Sequence, residues 1–370
     1  MTEQTFRFVE KRQIFSDQNA VWPPMRVPAE FIDREIERLA DATLAEGDLR
    51  AASIVHPHAR EPGLGFAPGV DITIHVLKPG ESTRAVRRNA NQIEFCIRGC
   101  GIVQVGADQI PVGKWDVCTI PSMQGYAHRN HGKDLWVRLT YSNTPLLEKL
   151  GAYHAVLASP QETYAAEART AVPDTEKRYT RANAPDIPVG DHGARMRGYE
   201  FLTDIAVRPN VALHWPWREI EQHVSRKAGD GKRGIMLLYN PATERRNGTT
   251  HTFFATISST PVGAAPRPRG RGHKHSSVAI NYHFEGAGQS TVDGTTIEWR
   301  AGDLLLSAPS WSEHAHYIHP QGASVLTVQD HPLHIGMESL IWQERMDGPI
   351  LTLGSEAGQT GYVGPRTAGA

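Results

Sequence analysis

His273 and His275, either side of Lys274, and His314 and His316, the first of them 39 residues beyond His275, are the residues whose type and spacing fit metal chemistry. Residues two apart on a strand face the same way, so His273 and His275 project together if their segment is extended. Val278 to Phe284 (VAINYHF) and the run before it read as extended. A Gly-rich turn at Gly286 and Gly288 follows, then a strand pair over STVDGTTIEW, a turn at Ala301-Gly302-Asp303 and the apolar Leu304 to Leu306. Pro309-Ser310-Trp311 then delivers His314. Two neighbouring antiparallel strands thereby aim three imidazoles, from His273, His275 and His314, at one interior point, a donor set for one divalent metal ion. A single HxH in a chain with 18 histidines reads more plainly as a surface or hydrogen-bonded pair. The second HxH, in order with the turns, is what turns the reading to metal.

The elements that position these residues come from a duplication. Glu94 to Gly101 (EFCIRGCG) matches Asn281 to Gly288 (NYHFEGAG) at an offset of 187, and Asp116 matches Asp303 at the same offset. One further residue gives 188, which sets Pro121-Ser122 on Pro309-Ser310 and His128 on His316. Short apolar runs (Val117 to Ile120, Leu304 to Ala308) and Ile102 to Val105, closed by a turn at Gly106, suit small all-β barrels. At the repeat offset His273, His275 and His314 fall on Val86, Arg88 and Tyr126, so the first barrel has no metal site. Its expected tasks are support, subunit contact or a share in the mouth of a pocket. Helical signals lie at the edges, over Pro28 to Leu49 and in the joining region around Leu146 to Arg169.

Composition bounds the function. A chain of 370 residues with 39% hydrophobic content buries a substantial core and has room for two domains. Lys plus Arg (39) nearly balances Asp plus Glu (40), so no strong field draws it to nucleic acid or an anionic membrane, and a small-molecule partner is expected. The start lacks an apolar core and no stretch approaches a membrane span, which reads as cytoplasmic. Cys96, Cys100 and Cys118 are odd in number and read as reduced packing cysteines.

The HxH with a later His resembles the cupin double motif. Where many cupins place a Glu four or five residues after the second His, this chain has Ala279 and Ile280, so a three-His site is implied. Met236 to Thr243 (MLLYNPAT), the apolar run Phe253 to Ile257, Gly272-His273-Lys274-His275 and Pro309-Ser310-Trp311-x-x-His314-x-His316 resemble the second half of the bicupin gentisate, salicylate and 1-hydroxy-2-naphthoate dioxygenases. Thr327 to Pro332 and Leu139 to Pro145 are similar to that family's strand-to-helix junctions, and the resemblance covers roughly Pro79 to Glu344. It implies an all-β bicupin, two tandem jelly-roll barrels with peripheral helices. The expected division is an N-terminal arm over 1–65, a first barrel over 66–145, a linker over 146–232, a second barrel over 233–345 and a tail over 346–370, loosely ordered after Asp347 or reaching a neighbouring subunit.

The resemblance further implies one Fe(II) per chain on His273, His275 and His314, with O2 and a hydroxylated aromatic acid as partners and a homo-oligomer, dimer or tetramer, as the assembly. The expected reaction opens the ring between the carboxyl- and hydroxyl-bearing carbons of a substituted salicylate such as a nitrosalicylate, of gentisate or of hydroxynaphthoate. Two departures stand out. Typical gentisate enzymes keep their active iron in the first barrel, and the family's carboxylate-binding Arg, eight residues after the first His, is Asn281 here. Arg267 and Arg269 are the expected replacement anchors; Asn281, His283 and Trp311 are expected to line the pocket; His316 is the expected catalytic hydrogen-bond donor or proton carrier. The plainer readings are a solvated Arg loop, a packed His316 and a core Trp311. Two other classes fit the same histidines: a three-His cupin dioxygenase for a flavonol- or thiol-type substrate, and a non-enzymatic small-ligand cupin.

Overall fold

The computed structural model describes residues 21–43, 49–158, 186–197, 211–224, 233–265 and 270–353. Two sheets carry the repeat strand for strand. In the first half the order is His214–Trp215, Val117–Ile120, Gln92–Arg98, Trp136–Ser142, Asp71–Leu77 and Ala51–Ser53. In the second it is Met25–Val27, Leu304–Pro309, Val278–Val292, His314–Gln329, Phe254–Thr260 and Gly234–Leu237. All these pairings are antiparallel.

Alternation along the strands explains how each sheet serves two sides. In Val278–Val292 the side chains of Ile280, Tyr282 and Phe284 join the main apolar core, while Asn281 and His283 turn to the other side, into the barrel. The first half contributes Ile93 and Phe95 to that same core, and the Phe95 ring lies 5.8 Å from Tyr282 and 5.6 Å from Phe284. The two barrels therefore share their largest hydrophobic cluster. Each fully buried aromatic there contributes about 1.5–3 kcal/mol over leaving it exposed.

The repeated aspartates anchor the strand–helix units that cross between the barrels. Asp303 accepts from Arg26 Nε and from the backbone N–H of Ala29, both at 2.8 Å. Asp116 bonds His214 Nε2 at 2.9 Å and accepts from the N–H of Trp217 at 2.7 Å. Ala29 and Trp217 open the helices Ala29–Asp41 and Trp217–Val224, so each Asp satisfies a free helix N–H and meets the positive end of the helix. Met25–Val27 pairs with the second barrel while its helix packs on Asp71–Leu77 of the first. His214–Trp215 pairs with the first barrel while its helix packs on Phe254–Thr260 of the second.

Several expectations need correction. Gly286 and Gly288 are not a turn: one strand runs from Val278 to Val292, bulged near the glycines, and the turn falls at Asp293-Gly294. Gly286 (φ +78°) sits where a β-carbon would meet the carbonyl of Gly322 (φ +70°), so the paired strands bend together there. The N-terminal helix ends at Asp41, with Ile32, Ile36, Leu39 and Ala40 on its buried face, and Ala42 is extended. The joining region contains a helix Thr144–Lys149 and a strand Ala155–Leu157, and the rest of it up to Arg169 lies outside the described residues. Part of the tail is ordered in the chain itself: Leu351–Thr352 pairs with Ile341–Gln343. Cys96 and Cys118 are buried, whereas Cys100 is exposed rather than a core cysteine. Among the described residues no helix is long and apolar enough to cross a membrane.

Candidate metal centre

His273, His275 and His314 form the metal-capable group found among the described residues, with ligand-capable atoms all within 4.8 Å of one another. Their backbone brings them together before their side chains do. His273 and His314 form an isolated antiparallel bridge, with N–H to carbonyl distances of 3.1 and 3.0 Å. Gly272 approaches His314 so closely that a β-carbon would strike its carbonyl, which accounts for glycine immediately before the HxH. Lys274–His275 pairs with Ile341–Gln343, so the ligand strand is clamped from the C-terminal side by a segment outside both large sheets.

Each buried ligand is oriented through its other nitrogen. His275 Nδ1 lies 2.9 Å from the Ser277 carbonyl and His314 Nδ1 lies 2.9 Å from the Ser312 carbonyl. A carbonyl can only accept, so both Nδ1 atoms carry the proton and both Nε2 lone pairs are left for a metal. Burial first, and then His314 and His331, hold His275 neutral well below the usual histidine range. The group contains three imidazoles and no carboxylate, which fits a divalent ion that keeps its full charge for an anionic ligand.

Four neighbours were not picked out as site residues from the sequence. Ser277 Oγ bridges His275 Nδ1 at 3.0 Å and His331 Nδ1 at 2.6 Å. Trp342 stacks on His273 at 4.9 Å between centroids and lies tilted over His275 at 5.0 Å. Gln329 Nε2 is 3.4 Å from His275 Nε2. The run Gln329-Asp330-His331-Pro332 is visible in the sequence only as a strand-to-helix junction, and no spacing ties Trp342 to the HxH.

The other expected site residues are dispersed. His316 Nδ1 bonds Ser290 Oγ at 2.7 Å, and the same oxygen accepts from Trp299 Nε1 at 3.0 Å. The His316 ring is 5.7 Å from that of His314, near the triad but outside it. His283 stacks on Trp299 at 3.8 Å, and burial pushes its pKa down to about 3. Asn281 Nδ2 donates to Ser307 Oγ at 3.0 Å. Trp311 is half-buried with the ammonium of Lys274 5.8 Å above its ring. Arg267 and Arg269 lie outside the described residues. Arg271, the next in that series, is paired with Glu313.

In the first barrel the bridge of His273 with His314 recurs as Val86 with Tyr126. There Arg88 Nε donates to Tyr126 Oη at 2.6 Å, and a guanidinium stands among the residues matched to the triad.

No protein-family model matches this sequence. The chain is 24% identical over 300 residues to a 1-hydroxy-2-naphthoate 1,2-dioxygenase of Nocardioides sp. (strain KP7), covering 78% of this chain and 71% of the relative. It is 22% identical over 267 residues to a 5-aminosalicylate 1,2-dioxygenase of Comamonas sp, covering 70% and 64%. Among solved structures, a salicylate 1,2-dioxygenase from Pseudaminobacter salicylatoxidans superposes with a TM-score of 0.66 at 14% identity, over 87% of this chain and 88% of that one, which shows the shared fold.

Proposed function

Because the chain belongs to the family of bicupin ring-cleaving dioxygenases that includes the gentisate, salicylate and 1-hydroxy-2-naphthoate 1,2-dioxygenases, we propose that it opens a hydroxylated aromatic carboxylate between the carboxyl- and hydroxyl-bearing carbons, with both atoms of O2 entering the product. The observation that carries this reading is the group of three imidazoles, two of them buried, with no carboxylate among them. His273, His275 and His314 would hold one Fe(II) per chain, which when bound supplies a common place for the substrate's adjacent oxygens and for O2 and a path for electrons between them.

The protein's own part is orientation, charge and exclusion of water. The Ser277 and Ser312 carbonyls fix two ligand rings, and Trp342 covers two ligand rings as a flat apolar wall. Gln329 supplies a neutral amide beside the ligand nitrogen of His275, suited to a hydrogen bond with a substrate oxygen held there. His316, tied through Ser290 to Trp299, is held in a fixed orientation one ring away from His314. That supports its role as the hydrogen-bond donor or proton carrier for the reacting oxygens.

Asn281 stands where the family has its carboxylate-binding Arg, and its amide is spent on Ser307. The substrate contacts differ accordingly. A substituted salicylate is the preferred substrate in this reading, and Arg267 and Arg269 supply part of the carboxylate contact. A cytoplasmic homo-oligomer completes the proposal, with light scattering of the purified chain as its check. The function itself is tested by O2 uptake of the Fe(II)-loaded protein with substituted salicylates, gentisate and 1-hydroxy-2-naphthoate. Uptake matched mole for mole by a ring-opened product is the expected result, and none with any of them overturns the reading.

A further inference from the structure

The first barrel holds a buried charged cluster at positions where the second has small or neutral residues. Glu94 pairs with Thr140 and Thr140 with Thr73, as Asn281 pairs with Thr327 and Thr327 with Thr256. By this register Glu94, Arg138 and His75 stand at the places of Asn281, Val325 and Ser258. Glu94 is saturated as an acceptor. It takes Arg138 Nη1 on both oxygens at 3.1 Å, His128 Nε2 at 2.9 Å and Thr140 Oγ1 at 3.4 Å.

The donors around it are not used up. Arg138 is 1% exposed, and Nη1 is its guanidinium nitrogen with hydrogen-bond partners among the described residues; Nε is unpaired but sealed from the cavity, which leaves Nη2 as the donor a guest can meet. The His75 ring likewise has no hydrogen bond there. Burial first, then Arg138, pushes its pKa well below the usual range, so it is neutral with one N–H to offer. Arg88, further along the barrel, is answered by Tyr126 and by the charge of Asp71.

A cavity of ≈ 140 Å³ opens onto both residues, lined by His75, Arg138, Arg50, Glu81 and Thr83. The carboxylate on its lining, Glu81, is committed to Arg50 and to the backbone N–H of Lys78. A cationic guest would find that acceptor occupied, whereas an anionic one finds spare donors on a guanidinium and an imidazole. The volume is close to the roughly 150 Å³ that accommodates benzene in a protein interior. We propose that this cavity of the first barrel binds a small organic carboxylate through Arg138 and His75, as a site separate from the metal centre.

The test uses benzoate as the anionic probe and cyclohexylamine as a cation of similar size, by titration calorimetry on the full chain and on its His314→Ala variant. Benzoate binding is expected to survive His314→Ala. It is expected to weaken at least about tenfold in Arg138→Gln and in His75→Leu, with metal content unchanged, since each loses a hydrogen bond to a charged group. If Arg138→Gln does not fold, His75→Leu decides. No benzoate binding by His314→Ala, full-strength binding by the folded cavity variants, or equal binding of cyclohexylamine overturns the proposal.

Discussion

His273 and His314 are hydrogen-bonded to each other through their backbones in both directions, so two of the three metal-capable side chains are registered by the fold itself. Val86 and Tyr126 hold the same relationship in the first barrel without ligand side chains. The barrels thus share a backbone arrangement at this point and differ in what it carries: imidazoles in one, an Arg88–Tyr126 hydrogen bond in the other.

From that arrangement, removing one imidazole disables the centre, while removing its neighbour does not. His314→Ala is expected to retain almost no iron after reconstitution and dialysis, and His316→Ala to retain about one per chain but to lose turnover. Elemental analysis with O2 uptake reads both. An iron-free His316→Ala beside an iron-loaded His314→Ala would mean that the ligand is two residues from where the bridge puts it.

Trp342 offers no metal-ligand atom, yet it stacks on the ring of His273 and lies tilted over that of His275. Trp342→Ala is expected to weaken metal affinity by roughly 10- to 100-fold, the range seen when groups that orient ligands are lost. Competition with a coloured chelator measures it, and unchanged affinity would show that the ligand strand keeps its place without the stack.

The repeat and its register were legible because Asp116/Asp303 and Pro121/Pro309 punctuate equivalent strands, and the HxH–His spacing was legible because ligand chemistry restricts residue type. The continuous strand through Gly286 and Gly288 was not. Glycine there serves a bend against Gly322, a contact made by a residue far along the chain, and local sequence reads such glycines as a turn. Gln329 and Trp342 were hidden for a similar reason: their roles come from long-range contacts with the ligand segment rather than from any periodicity.

Burial lowers the His283 pKa from 6.5 to about 3. Below about pH 6.5 the unfolded chain therefore takes up a proton here that the folded chain refuses until about pH 3, and stability falls as pH drops through that window. Above it this group adds no slope. Urea midpoints of the chelator-treated protein should decline from neutral pH toward acid, and His283→Leu should decline less steeply by up to one proton, about 1.4 kcal/mol per pH unit. Parallel profiles for the two proteins would contradict this assignment.

For substrate choice, a substituted salicylate is expected to exceed gentisate in kcat/KM. Arg267→Ala and Arg269→Ala, made singly, are expected to weaken substrate binding by about 1.5–3 kcal/mol at most while leaving iron in place. Anaerobic binding titrations separate affinity from turnover. Unaltered affinity in both variants, or gentisate as the best substrate of the panel, would remove the Arg loop from the account.

Ring opening by O2 at a three-imidazole centre is tested by mass spectrometry of the product that the Fe(II)-loaded protein forms under 18O2. A hydroxylated aromatic carboxylate should yield a ring-opened dicarboxylate carrying both labelled atoms, with no such product from His314→Ala. An unopened ring, a single labelled atom, or equal product from His314→Ala would contradict it.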